Sequence, residues 1–92
     1  MKTLKLFATL RDLAGQKTID VPFTHGQTVR KLVEDITLIN PALGAEILDE
    51  NGDLSGAVHI LVHGRNCEWL NGLDTTIKET DIVTLVPPVA GG

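Results

Sequence analysis

The group most able to do chemistry in this 92-residue chain is its own C-terminus, which ends in Gly91-Gly92. Glycine has no side chain and adopts backbone angles that other residues avoid, so a diglycine end can thread a narrow channel in another protein. The carboxylate of Gly92 could then be activated and transferred inside that protein. Chain ends are also commonly disordered and without function, so the rest of the sequence must decide between the two interpretations.

Other residues with chemical potential lack the pattern that their chemistry needs. His59 and His63 are four apart, which on a strand is wider than two ligands of one metal usually tolerate. Cys67 has only Arg65 nearby to activate it as a sulfur relay, so a structural role is favoured. The acidic turn at 49–53 lacks the ligand pattern of a calcium loop. We therefore predict no metal site, and we expect ATP to be bound elsewhere because no phosphate-binding glycine motif is present.

Composition predicts one domain at 1–92 with a flexible tail at 87–92, since 42% hydrophobic residues suffice for a single core. We expect a reducing, cytoplasmic setting, because Cys67 is the only cysteine and no targeting segment precedes the first strand. No stretch approaches the roughly 18 apolar residues of a membrane span. The net charge is −4 and no basic run is present, so neither nucleic acid nor a membrane is expected as a partner.

Alternating apolar and polar side chains predict a hairpin of two strands, at 2–8 and 17–21, joined by a polar turn at 11–15. Thr28 can cap the next element, in which apolar residues recur at helical spacing until Asn40-Pro41 ends it. Pro41 can open a short second helix that runs through Ile47. These segments predict one main amphipathic helix after a hairpin.

The second half of the chain reads as strands and turns. We predict a third strand at 58–62, a turn at 64–66, a short edge strand at 67–70 and a last strand at 81–86. The order predicts an α+β, β-grasp fold, a mixed sheet of about five strands with one main helix packed on one face. The first and last strands would then pair in parallel at the centre of the sheet.

The sheet face turned away from the helix is predicted to carry an apolar patch beside the tail. Val83 and Leu85 should point inward, which leaves Ile82, Thr84 and Val86 outward. Such a patch often marks a docking site for another protein. We assign to it Phe7, Arg11, Leu61, Trp69 and Val86. Pro87-Pro88 cannot continue strand pairing and should direct the last residues away from the sheet.

The segment 6–15, the helix start Thr28-Val29 and the end of the chain from Asp81 through Pro87-Pro88-Val89-Ala90-Gly91-Gly92 together resemble the ubiquitin-like sulfur-carrier family of the MoaD/ThiS type. This family includes the small subunit of molybdopterin synthase and the sulfur carrier of the thiamine pathway. The resemblance covers essentially the whole chain, and its two ends carry most of the specificity. The Pro-Pro-Val-x-Gly-Gly end points to the molybdopterin branch.

The resemblance implies a β-grasp carrier with no catalytic residues and no bound cofactor of its own. An E1-like adenylating enzyme would use ATP and Mg to activate Gly92, and a sulfur donor such as a cysteine desulfurase or a rhodanese would convert it to a thiocarboxylate. Val89, Ala90 and Gly91 would thread the partner's active site. The large subunit of molybdopterin synthase would be the expected recipient.

Alternative functions remain open at this point. Some relatives serve thiamine or cysteine pathways, and some archaeal ones are joined to protein lysines, in which case Gly92 would form an isopeptide bond. The stretch 64–75 is longer than the matching stretch in familiar members of the family, which leaves the branch open. A plain interaction module with an idle tail is the third alternative.

Overall fold

Five strands form one mixed sheet in the order β2-β1-β5-β3-β4 in the computed structural model, which describes residues 1–88. The strands are β1 (Lys2–Leu6), β2 (Thr18–Val21), β3 (His59–Val62), β4 (Arg65–Asn66) and β5 (Val83–Val86). At the centre, β1 pairs in parallel with β5, with Lys5 opposite Thr84 and Leu6 opposite Leu85. The predicted parallel pairing of the first and last strands is therefore confirmed.

In the described part of the chain three α-helices accompany the sheet: α1 (Thr9–Ala14), α2 (Val29–Ile39) and α3 (Pro41–Ile47). The Thr28 hydroxyl caps α2 by accepting a hydrogen bond from the Lys31 N–H at 3.3 Å. Asn40 ends α2, and its side chain caps α3 by accepting from the Leu43 N–H at 3.1 Å. The predicted main helix and the short helix that follows it are both confirmed.

The core lies between the inner face of the sheet and the apolar face of α2. Each fully buried aliphatic side chain contributes about 1.5–3 kcal/mol relative to an exposed one. The buried apolar residues are Leu4, Leu6, Leu10, Ile19, Val21, Val29, Leu32, Val33, Ile36, Leu43, Ile47, Val58, Ile60, Val62, Cys67, Ile77, Val83 and Leu85. In β5 the burial alternates as predicted, with Val83 and Leu85 inward.

The predicted polar turn at 11–15 is wrong, because most of that segment belongs to α1. β1 ends at Leu6 instead of Ala8, since Ala8 has a positive φ of 52° that leaves the strand. Leu10 then enters the core and holds the short helix against it. Gly15 closes α1 with a φ of 73°, a left-handed conformation that glycine adopts without strain.

The predicted turn at 64–66 and edge strand at 67–70 are also wrong. The turn lies at His63-Gly64, whose φ values of 53° and 79° suit the two-residue turns of tight hairpins. The edge strand is therefore β4, directly after the turn. The segment Cys67–Trp69 is a 3-10 helix whose first turn is capped by the Asn66 side chain, which accepts from the Glu68 N–H at 3.0 Å.

A second 3-10 helix, Gly72–Asp74, returns the chain toward the start of α2. There Thr75 O accepts from the Val29 N–H at 2.9 Å. None of the helices within residues 1–88 has the length and apolar character needed to cross a membrane.

Candidate functional site at the tail root

The tail root, which we define as Pro87-Pro88, follows β5 directly at one end of the central strand pair. Pro87 is half-buried and Pro88 is exposed. Proline has no N–H to donate to a neighbouring strand, so strand pairing ends at this point. Gly92, the predicted site of the acyl chemistry, and Val89, Ala90 and Gly91, predicted to thread the partner's active site, lie outside the described residues.

The outer face of the sheet begins next to the tail root. Leu61 and Lys5 both lie opposite Thr84, on either side of β5. His59 lies opposite Val86, the last residue before the tail root. The Phe7 N–H donates to the Leu85 carbonyl at 3.1 Å, which sets Phe7 beside the same end of β5. The structure thus brings Phe7, Leu61 and Val86 onto neighbouring positions of one face.

Arg11 joins this group through two contacts. Its Nε donates to the Leu6 carbonyl at 2.8 Å, and its Cζ lies 5.2 Å from the centre of the Phe7 ring. A guanidinium over an aromatic face is a favourable cation–π arrangement. Phe7 as a whole residue remains 42% exposed. Arg11 and Phe7 therefore present one composite surface, part cationic and part apolar, beside the tail root.

A strained turn places α1 next to this surface. The Leu10 N–H donates to the Phe7 carbonyl at 3.1 Å, and Ala8 between them has φ 52° and ψ −129°. These angles are those of the first central residue of a type II′ turn, a position that favours glycine. The bond from Arg11 to the Leu6 carbonyl spans the turn and helps to hold it.

Trp69, the remaining predicted member of the patch, is placed differently. It is 84% exposed but lies in the 3-10 helix after β4, outside the strand registers that align the others. Ile82 is 56% exposed and was predicted to point outward without being assigned to the patch. Extending the alternation of β5 back by one residue, to Ile82 before Val83, is the signal that would include it.

Cys67 is packed into the core instead of facing the tail root. Burial, aided by the nearby charge of Glu68, raises the pKa of the Cys67 thiol to about 11. Such a thiol is almost fully protonated near neutral pH and is a poor nucleophile. Within residues 1–88 there is also no group of three or more side chains arranged to hold a metal ion.

The tail root is therefore bordered by a partly exposed apolar surface that carries the Arg11 guanidinium. The sequence model of the ThiS family matches residues 4–92 of this chain. Small archaeal modifier protein 3 of Haloferax volcanii is 33% identical over 89 residues, which cover 97% of this chain and 96% of the relative. A protein of Archaeoglobus fulgidus proposed to be a sulfur carrier is 38% identical over 65 residues, covering 71% of this chain and 74% of the relative.

Solved structures show the same architecture. A chain of the BexX/CysO complex of Amycolatopsis orientalis superposes with a TM-score of 0.81 at 25% identity, with 100% of both chains covered. A Pyrococcus furiosus protein proposed to be subunit 1 of molybdopterin converting factor gives a TM-score of 0.71 at 32% identity, with 95% of both chains covered. The mixed sheet described above is the β-grasp sheet of these neighbours.

Proposed function

This chain belongs to the ThiS family of ubiquitin-like sulfur carriers and modifiers, and from that membership we propose that Gly92 carries sulfur as a thiocarboxylate for molybdopterin synthesis. The observation that carries the proposal is that the family match runs through Gly92 itself. The end of the central strand β5 at Pro87-Pro88 supports it, because the tail starts where sheet pairing stops.

The chemistry follows from the weakness of a carboxylate as an acyl donor. A carboxylate oxygen of Gly92 attacks the α-phosphate of ATP, pyrophosphate leaves, and the acyl-adenylate gains a good leaving group. A sulfide equivalent from the donor then attacks the acyl carbon and AMP leaves, which gives the thiocarboxylate. ATP and Mg bind to the adenylating partner, so this chain contributes the acyl group and no catalytic side chain.

Docking is assigned to the composite surface beside the tail root. To the Arg11–Phe7 pair of this surface we add the half-buried Leu61 and Val86, which extend its apolar part. An exposed apolar area rimmed by polar groups is typical of a binding site for another protein. We propose that the adenylating enzyme and the large subunit of molybdopterin synthase use this surface in turn. A reducing cytoplasm is the setting we propose, since Cys67 is the only cysteine.

The test is incubation with the adenylating enzyme of the same genome, ATP, Mg and a sulfide donor. Replacing one oxygen of Gly92 by sulfur should raise the mass of the intact chain by about 16 Da. Deletion of Gly91-Gly92 should abolish the shift. An unchanged mass with an enzyme that forms an adenylate on another carrier would contradict the proposal.

The molybdopterin branch needs its own measurement. The proline-proline end of the sequence and the similarity to the Pyrococcus furiosus protein support this branch. The thiocarboxylated chain, mixed with the large synthase subunit and the pterin precursor, should lose its sulfur to the product. Retention of the sulfur there, with transfer in a thiamine or cysteine system, would assign another branch.

Conjugation to protein lysines is the second candidate, favoured by the similarity to small archaeal modifier protein 3. No Lys or Arg follows Lys78, so trypsin would leave the whole segment Glu79–Gly92 on a modified lysine. A search for the usual diglycine remnant would therefore miss it. An Ala90→Arg variant restores a diglycine remnant, and its detection on other proteins would establish conjugation.

A further inference from the structure

A groove of about 440 Å³ is formed by α1 together with one residue of α3 and one residue that precedes β3. We propose that it is a second docking site, which receives a basic segment of the adenylating partner. This inference rests on the proposed function, because it names the partner of the same tail. The groove is lined by Thr9, Leu10, Asp12, Leu13, Glu46 and Ala57.

The position of the groove connects it to the tail. Thr9 follows two residues after Phe7, whose N–H is bonded to the Leu85 carbonyl. Ala57 precedes β3 by two residues, at the end of β3 that lies opposite Val86. Two of the three segments that line the groove, those of Thr9 and Ala57, therefore adjoin the end of the sheet from which the tail departs. A partner that receives the tail must come close to this groove.

The lining fits a lysine or arginine side chain. Leu10, Leu13 and Ala57 give the groove an apolar lining, and Leu13 is 41% exposed. Asp12 and Glu46 are exposed and form no ion pair among residues 1–88. Basic side chains lay their methylene stems on apolar surface and direct the charge to polar groups. The two carboxylates, together with the apolar lining beside them, match that division.

Charge also excludes the competing occupants. The chain's own tail ends in the Gly92 carboxylate, which the carboxylates of Asp12 and Glu46 would repel. A second copy of the chain carries a net charge of −4 and would be repelled in the same way. The occupant that fits is a basic segment of another protein.

The groove and Arg11 together determine the orientation in which a partner docks beside the tail root. Arg11 and Asp12 are adjacent in α1, yet Arg11 lies over Phe7 on the outer face and Asp12 lines the groove. A partner with an acidic group for Arg11 and a basic group for Asp12 can dock in one orientation, because the reverse places like charges together. That orientation determines which way the tail enters.

The test compares the double variant Asp12→Asn/Glu46→Gln with the control Asp53→Asn/Glu50→Gln. Both remove two exposed carboxylates, but Glu50 lines a separate groove on the other side of α3. Binding to the adenylating enzyme is measured by calorimetry without ATP, and adenylation by pyrophosphate release. The groove variant should weaken binding and raise KM about fivefold to tenfold with kcat unchanged, as expected for exposed charge pairs. The control should match the wild type.

The outcomes separate the two proposals. Adenylation of wild type and groove variant with equal Kd and KM would overturn the groove while leaving the proposed function intact. A second outcome is that the enzyme binds the wild type without adenylating it and binds the groove variant more weakly. That outcome would support the groove as a docking site and reject the proposed function. Equal weakening by the control would show a net-charge effect and would also overturn the groove.

Discussion

Arg11 connects the strand, the turn and the outer face at the tail root. Its Nε donates a hydrogen bond to the Leu6 carbonyl at 2.8 Å, and its guanidinium lies over the ring of Phe7. The guanidinium has further N–H groups, so a partner carboxylate can be bound without breaking the internal bond. Lysine has no planar fork and would have to choose between these contacts.

At Cys67 we predict a pH effect on stability. Burial raises the pKa of its thiol from the ordinary value of 9.0 to about 11 in the folded chain. Between these values the unfolded chain loses the thiol proton and the folded chain keeps it, so the free energy of unfolding falls as pH rises. Urea unfolding at pH 8 and pH 10 should show a loss about 1 kcal/mol greater in wild type than in Cys67→Ala.

The Cys67→Ala variant is the control because lysines also titrate in this range. It loses a core contact at every pH, so only the change between pH 8 and pH 10 is compared. Equal losses in the two proteins would show that the thiol titrates normally in the fold. Slow alkylation of native Cys67 at pH 8, with fast alkylation in urea, would be the accompanying chemical result.

Among the elements, α2 shows what sequence alone could predict. Thr28, the apolar spacing and Pro41 all indicate the same helix bounds, so local propensity and tertiary packing agree. For α1, local propensity and tertiary packing do not indicate the same structure. Only Leu10 of its six residues is buried, so the segment has no apolar face long enough to predict a helix and its sequence favours a turn. The helix forms there because Leu10 packs in the core, which is a tertiary effect.

The sequence predicts the edge strand at 67–70 instead of at β4 for a related reason. The turn at His63-Gly64 needs a left-handed backbone at a histidine, which composition does not indicate. Asn66 then caps a 3-10 helix and buries Cys67, so the segment 67–70 cannot pair as a strand. A capping side chain decided between two local structures of similar composition.

The contact between α2 and α3 depends on Gly44, which is buried. A Cβ at this position would meet Oγ1, Cβ and the backbone Cα of Thr37. We predict that Gly44→Ala destabilises the fold by about 1–2 kcal/mol, because overpacking outweighs the gain in helix propensity. Urea unfolding measures the difference.

Ala45→Gly is the matched control on the exposed side of the same helix. It should cost about 0.5–1 kcal/mol through propensity alone. Adding Thr37→Ala to Gly44→Ala should recover only part of the loss, since it removes Oγ1 and leaves the contacts with Cβ and the backbone Cα. A stabilising Gly44→Ala would show that the two helices separate without cost.

In the molecule as a whole, folding and the proposed transfer chemistry use different parts of the chain. Val83 and Leu85 are the last core residues among residues 1–88, and both precede the tail root. We predict that deletion of Gly91-Gly92 leaves the midpoint and slope of urea unfolding unchanged. Leu85→Ala should cost about 2–4 kcal/mol in the same assay. A large shift on deletion would mean that the tail packs against the domain.

For the candidate site, the sequence allowed the prediction that Phe7 and Val86 lie close together, because it follows from one parallel strand pair and the alternation of side chains. The groove could not be predicted. Its walls come from Thr9, Glu46 and Ala57, which are far apart in sequence and carry no common pattern. Only the packing of α1 beside α3 brings them together.

The parallel pairing of β1 with β5 has a practical consequence for handling the protein. Met1 lies at the end of β1 opposite the tail root and is 85% exposed. Five strand residues separate the two ends by about 17 Å at the usual rise per residue. A purification tag, fluorophore or surface tether fixed at the N-terminus therefore leaves the diglycine end free, whereas any C-terminal fusion would block the carboxylate that the proposed chemistry requires.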